Sequence, residues 1–171
     1  MSLSAFCKPF YTARGVTLFL NARARPSSHA GRLSRRRVFS TSASVQGRQV
    51  VSTENAPGAV GPYSQAIKHG ETLYVSGQVP LVPGTKNLIG EGIEEQTEQA
   101  LKNLGAILDA AGSSFSQVLK TTVLLTDMGD FAKVNEVYGR FFSSDPPARA
   151  CFAVKTLPLG AKVEIEAIAA L

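Results

Sequence analysis

The 171-residue sequence predicts an α+β domain: one mixed β-sheet with two helices packed on one face. Three observations lead there. Strand-like and helix-like runs follow in the order strands, helix, strand, helix, two strands. Two segments repeat apolar residues at steps of three and four, which is helical spacing. Residues 148–170 hold two apolar runs separated by turn residues.

Taken in order, Val50 to Thr53 reads as a short strand. Gly61-Pro62 leads into a second run, Tyr63 to Ile67, and His69-Gly70-Glu71-Thr72 turns it into Leu73 to Val79 to make a hairpin. Pro80 to Gly92, with Pro83-Gly84 and Gly90, is a loop. Ile93, Thr97, Leu101, Leu104, Leu108 and Ala111 then form one stripe of a helix over 93–111 that ends near Gly112. Glu94, Glu95 and Glu98 near its start complement the helix dipole and belong to a solvated face. Gln117 to Thr126, rich in Val, Leu and Thr, is a strand. Asp127 is the expected N-cap of a second helix, because Phe131, Val134, Tyr138 and Phe141 recur at helical spacing through Phe142.

Near the end, Pro146 and Pro147 bias the chain toward extended backbone, and Ala148 to Val154 continues as a strand. Leu157-Pro158-Leu159-Gly160 carries turn residues, and Lys162 to Ala170 alternates Val163, Ile165, Ala167 and Ala169 with Lys162, Glu164 and Glu166. These two strands are expected to pair as a hairpin, with Cys151 opposite Glu164 and Arg149 opposite Glu166. A one-residue slip would reverse that register. Val75, Val123, Leu125, Phe152 and Ile165 supply more apolar strand surface than two helices cover, which predicts burial against other subunits.

Charge divides the chain. Residues 1–53 carry nine basic residues and no acid; residues 54–171 carry nine basic and thirteen acidic residues. The net charge of +5 therefore describes a basic leader ahead of a mildly acidic domain, which argues against nucleic-acid binding by the domain. Arg23, Arg25, Arg32, Arg35, Arg36 and Arg37 among many serines, with apolar Val16, Leu18, Phe19 and Leu20, have the composition of an organelle-targeting peptide; a basic nucleic-acid-binding arm is the other reading. The expected division is a transit peptide over 1–43 and a folded domain over 49–171. Arg37-Val38-Phe39-Ser40 resembles a mitochondrial processing site. No segment approaches the roughly 20 apolar residues a membrane span needs. Beyond the leader only Cys151 and His69 remain of their types, so neither an internal disulfide nor a metal site is expected.

Arg149 and Glu164 are the residues with chemistry to offer. A guanidinium matches a carboxylate with two parallel hydrogen bonds, and a nearby glutamate can hold and polarise a water. Together they suit a small carboxylate-bearing substrate attacked by water. A surface ion pair between Arg149 and Glu166, worth about 0 to 1 kcal/mol, is the other reading of the same residues. Asn135, beside the second helix's apolar stripe, is either a structural hydrogen-bonding residue or a cleft residue.

Pro147-Ala148-Arg149-Ala150-Cys151 followed by Leu157-Pro158 and Val163 to Ala169 resembles the C-terminal signature of the Rid family, formerly YjgF, and its RidA branch. Ser52 to Pro57, Gly61 to Ala66, Val75 to Gln78, Leu119 to Val123, Asp130-Phe131, Val134-Asn135 and Tyr138 resemble further family blocks in the same order, covering the chain from about residue 49 onward. The resemblance implies a chorismate-mutase-like homotrimer with active sites in clefts between subunits. It implies hydrolysis of 2-imino acids and their enamine tautomers, such as 2-iminobutanoate and 2-iminopropanoate, to 2-oxo acids and ammonia, with no metal or organic cofactor. By matching position, Arg149 would bind the substrate carboxylate and Glu164 would orient the attacking water. Tyr63 would line the cleft, Ser76 and Gly77 would supply polar contacts, and Asn135 would help close the site. Cys151 falls where many relatives carry a reactive but nonessential thiol. Glu94 to Gln99 resembles plant plastid members, so a plastid stands beside the mitochondrion as destination. A noncatalytic metabolite-binding or regulatory trimer is the alternative function. A ribonuclease or translation inhibitor fits the acidic domain less well.

Overall fold

The computed structural model describes residues 47–171; the segment 1–43 expected to be a leader lies outside the described residues. Six strands and two helices follow in the order β1 (Gln49–Val51), β2 (Ala66–His69), β3 (Thr72–Gln78), α1 (Ile93–Ala111), β4 (Val118–Leu125), α2 (Phe131–Phe141), β5 (Ala148–Ala153) and β6 (Val163–Ala170). They form one sheet ordered β1-β2-β3-β6-β4-β5, antiparallel except for the parallel pair β4–β5. The α+β reading with a single mixed sheet and two helices on one face holds.

Local chemistry explains the elements. Gly70, at φ 60°, makes the β2–β3 turn. At the start of α1, Glu95 reaches back to accept the Gly92 N–H at 2.7 Å, satisfying an otherwise orphaned donor. At its end, Gly112 takes a left-handed φ of 77° and donates to the Asp109 carbonyl at 2.9 Å. The whole predicted stripe of α1 is buried, with Leu101, Leu104, Ile107 and Leu108 fully so. Truncating any one of these leucines to alanine would cost about 2–5 kcal/mol. Asp127 does cap, though not α2 itself: its carboxylate accepts from Gly129 N at 2.8 Å and starts a short 3-10 turn, Met128–Asp130, that runs into α2.

Two expectations fail. The first is the C-terminal hairpin. β5 does not pair with β6; it lies parallel beside β4, while β6 is inserted between β3 and β4. The physical reason is burial. Val163, Ile165, Ala167 and Ala169 are all buried, which suits a strand with neighbours on both sides, whereas β5 is largely exposed and makes an edge. The strand–helix–strand run from β4 through α2 to β5 also has the connection that parallel neighbours need. Arg149 therefore faces Thr121 and Cys151 faces Val123, while Glu164 faces Leu124 and Glu166 faces Thr122.

The second is the apolar surplus. Val75, Val123, Leu125 and Ile165 all lie in the core beneath the helices, and only Phe152 of that set is exposed. Apolar surface still shows outside the core, in Tyr74 and Leu119 as well as Phe152.

Candidate active site

Register decides where the candidate residues point. Thr121 and Leu124 are three positions apart on β4, so their side chains leave opposite faces of the sheet. Arg149, paired with Thr121, points to the helix-covered side; Glu164, paired with Leu124, points to the open side. The candidate residues thus fall into two groups within one chain.

The open-side group is built by a bulge. The β3–β6 register shifts between Val75 and Gln78, at Ser76-Gly77. The glycine makes the room: a Cβ on Gly77 would run into the Glu164 carboxylate. Glu164, Ser76, Gly77 and Tyr63 line one pocket of about 200 Å³, with Val60, Val79 and Pro158 as its apolar walls. Ser76 is partly committed, since its hydroxyl donates to the Ser64 carbonyl at 2.7 Å and only its lone pairs remain to accept. The Tyr63 hydroxyl accepts from Val60 N at 3.2 Å. Behind these loops sits buried Gln65, whose amide accepts from Thr53 N at 2.7 Å and donates to the carbonyls of Thr53 and Pro57 at 3.0 and 2.8 Å. That side chain ties the 53–57 segment to the start of β2. Burial, helped by the neighbouring negative charge of Glu166, pushes the Glu164 carboxyl above its ordinary value of 4.5.

The helix-side group gathers around α2. The Arg149 guanidinium lies over the Tyr138 ring, 4.7 Å from its centroid, and over Phe131 at 5.6 Å. Among the described residues no carboxylate lies within ion-pairing distance of it; the two ion pairs found join Glu98 to Lys102 and Glu136 to Arg140. The Arg149–Glu166 surface pair, the other reading of these residues, is therefore not formed. Asn135 sits on α2 between Phe131 and Tyr138 in helical spacing, and its Oδ1 is the one buried side-chain polar atom without a partner among the described residues. Cys151, half-buried on the same strand as Arg149, has its thiol pushed up by burial, with the Arg149 charge opposing. His69 is exposed at the hairpin turn, as its neighbour Gly70 suggested.

Both groups are therefore coherent, each with acid–base or anion-binding capacity and each open. A family model described as Endoribonuclease L-PSP matches residues 53–171. The chain belongs to this family, the Rid or YjgF family. A mouse relative named 2-iminobutanoate/2-iminopropanoate deaminase is 56% identical over 122 residues, covering 71% of this chain and 90% of its own. An Arabidopsis thaliana relative named Reactive Intermediate Deaminase A, chloroplastic, is 47% identical over 161 residues; that match covers 94% of this chain and 81% of the relative, so it reaches into the basic N-terminal segment. Among solved structures, E. coli TdcF with bound serine superposes with a TM-score of 0.69 at 41% identity, covering 72% of this chain and 98% of TdcF. The fold is accordingly the chorismate-mutase-like one of the Rid family.

What the residue pattern did not reveal about this Rid-family chain is the aromatic support under Arg149 and the Val60, Val79 and Pro158 walls. Phe131 and Tyr138 stand seven apart on one helix stripe, and that spacing was the available signal.

Proposed function

We propose that this protein is a hydrolytic deaminase that converts 2-imino acids and their enamine tautomers, 2-iminobutanoate and 2-iminopropanoate among them, to 2-oxo acids and ammonia. Its site is completed by two subunits of a homotrimer. One observation carries the two-subunit part of this reading: Arg149 and Glu164 leave opposite faces of one sheet, from register positions about 10 Å apart along β4. A three- or four-carbon substrate cannot span them within one chain. The exposed Arg149 of one subunit meeting the Glu164 pocket of the next makes a single site.

In that site the substrate carboxylate takes the in-plane donors of Arg149, which presents the C=N carbon to a water held by Glu164. Water adds to that carbon, Glu164 accepts its proton, and the nitrogen is protonated to the carbinolamine. The C–N bond then breaks, ammonia leaves, and the hydroxyl becomes the 2-oxo group. Glu164's raised pKa brings it nearer to neutrality than a surface glutamate and makes it a better proton acceptor. Imines already hydrolyse in water, so positioning and one proton acceptor meet a modest requirement without a metal or organic cofactor. Ser76 and Gly77 contribute polar contacts, Tyr63 a wall, and Asn135 an acceptor at the rim of the Arg149 side. Cys151 lies beside that side without a chemical step.

Subunit mixing tests this. Arg149→Ala and Glu164→Gln are each expected to be inactive alone. Refolded together in equal amounts, they should regain about a quarter of wild-type turnover, because an interface of that proportion joins an intact Arg149 to an intact Glu164. No recovery from mixed, folded trimers would refute a shared site. The serine bound in TdcF favours keeping a second reading, a noncatalytic metabolite-binding trimer. In that case Glu164→Gln would leave ligand affinity intact and there would be no turnover to lose. The acidic domain, with His69 alone at an exposed turn, offers neither the charge nor the paired bases of a ribonuclease. The Arabidopsis chloroplastic relative supports an organellar destination, and Arg37 to Ser40 favour the mitochondrion over the plastid; imaging residues 1–43 fused to a fluorescent protein distinguishes the two.

A further inference from the structure

We propose that Tyr138 is a positioning residue for this reaction: its ring, with Phe131 beside it, sets the Arg149 fork in the orientation that receives the substrate carboxylate. The inference rests on the reading that Arg149 binds that carboxylate. Arg149 is exposed on the edge strand β5, and an unpaired arginine there would ordinarily sample many rotamers. Here the guanidinium lies over two rings, at 4.7 Å from Tyr138 and 5.6 Å from Phe131. A planar cation held against a ring face keeps its N–H donors at its own edge, where a carboxylate binds in the plane. An ion-pair partner would orient the same group only by occupying those donors. The rings orient it and leave them free.

The support is itself fixed. The Tyr138 hydroxyl and Thr121 Oγ1 share a buried hydrogen bond of 2.7 Å, and the ring stacks on Phe142 with centroids 4.4 Å apart. Thr121 is also the strand neighbour of Arg149. Backbone pairing, the Thr121–Tyr138 hydrogen bond and the cation–ring contact therefore close a loop around the guanidinium, so its position relative to its own backbone is determined.

The test measures the affinity of the stable product 2-oxobutanoate by calorimetry, and KM and kcat with fresh 2-iminobutanoate, for wild type, Tyr138→Leu, Tyr138→Phe and Phe131→Leu. Tyr138→Leu should weaken 2-oxobutanoate binding and raise KM by roughly 2- to 30-fold, the range of a cation–ring contact, with kcat changing less. Tyr138→Phe loses the Thr121 bond but keeps the ring, and should rescue affinity to within about threefold despite lower thermal stability. If Tyr138→Leu does not fold, Phe131→Leu replaces it, with an expected weakening of about 2- to 3-fold at its longer distance. Wild-type affinity in a folded ring-deleted variant overturns the proposal. So does a Tyr138→Phe loss as large as that of Tyr138→Leu, which would make the tyrosine structural through its hydroxyl, and so does a wild type that binds no oxo acid. A wild type that binds the oxo acid but does not accelerate imine hydrolysis removes the deaminase reading and leaves the affinity comparison to decide this one.

Discussion

Gly77→Ala puts the geometry of Glu164 to a direct test. The φ of Gly77 lies outside the left-handed region, so alanine adopts its backbone without strain and the whole effect falls on what the new methyl touches. It would stand 2.8 Å from Glu164 Cδ and 3.0 Å from Cγ, both closer than carbon atoms approach. Overpacking of this kind costs about 1–3 kcal/mol, unless the flexible glutamate swings aside. Displacing by about 1 Å a carboxylate that holds the attacking water, the role proposed for Glu164, is worth roughly 100-fold in rate. The expected result is a kcat for 2-iminobutanoate about 100-fold below wild type, with 2-oxobutanoate affinity within about threefold and an unchanged circular dichroism spectrum. Urea unfolding adds a second arm. In a Glu164→Ala background the clash is gone, so the destabilisation by Gly77→Ala should disappear, a coupling of about 1–3 kcal/mol. Turnover within threefold of wild type together with additive unfolding energies would refute the idea that Gly77 is glycine to make room for Glu164.

Two further outcomes follow from the same geometry. In the proposed reaction Glu164 must be ionised to accept a proton, and burial and Glu166 both favour its protonated form, so the acid limb of kcat/KM should lie above 4.5 and should move to lower pH in Glu166→Gln. An unmoved limb in a pH–rate profile would exclude Glu166 as its modulator. By linkage, this carboxyl favours the folded state fully below its unfolded pKa, and that contribution is lost as pH rises through the raised folded value. Gln65→Ala removes a buried side chain that makes hydrogen bonds to the 53–57 loop, and should destabilise the domain by about 2–4 kcal/mol while raising KM, both readable from unfolding curves and initial rates. Wild-type stability would mean that loop is held by other contacts.

Helix α1, the β2–β3 hairpin around Gly70 and the α2 stripe were legible because each is written locally: a 3.6-residue period, a left-handed turn, a capping carboxylate. Strand neighbours are not local. The alternation in Val163 to Ala169 states which residues share a face but not which strands flank them, and so β6 was assigned to the wrong partner. That error also reversed the relation between Arg149 and Glu164, from neighbours on one face to residues on opposite faces. The candidate residues themselves came from their chemistry and from the family resemblance. Their division between two surfaces was not, because it depends on whether an odd or even number of residues separates Thr121 and Leu124, the partners they pair with on β4.

β6 occupies the middle of the sheet yet is the last of the six strands to be synthesised. Until it emerges, β1-β2-β3 and β4-β5 are two fragments with no strand to join them, and the cores beneath them lack Val163, Ile165, Ala167 and Ala169. Folding of this domain therefore waits until β6 has emerged. A nascent chain stalled before residue 163 should remain as protease-sensitive as an unfolded one, because the two halves of the sheet have nothing to hold them together until β6 joins them.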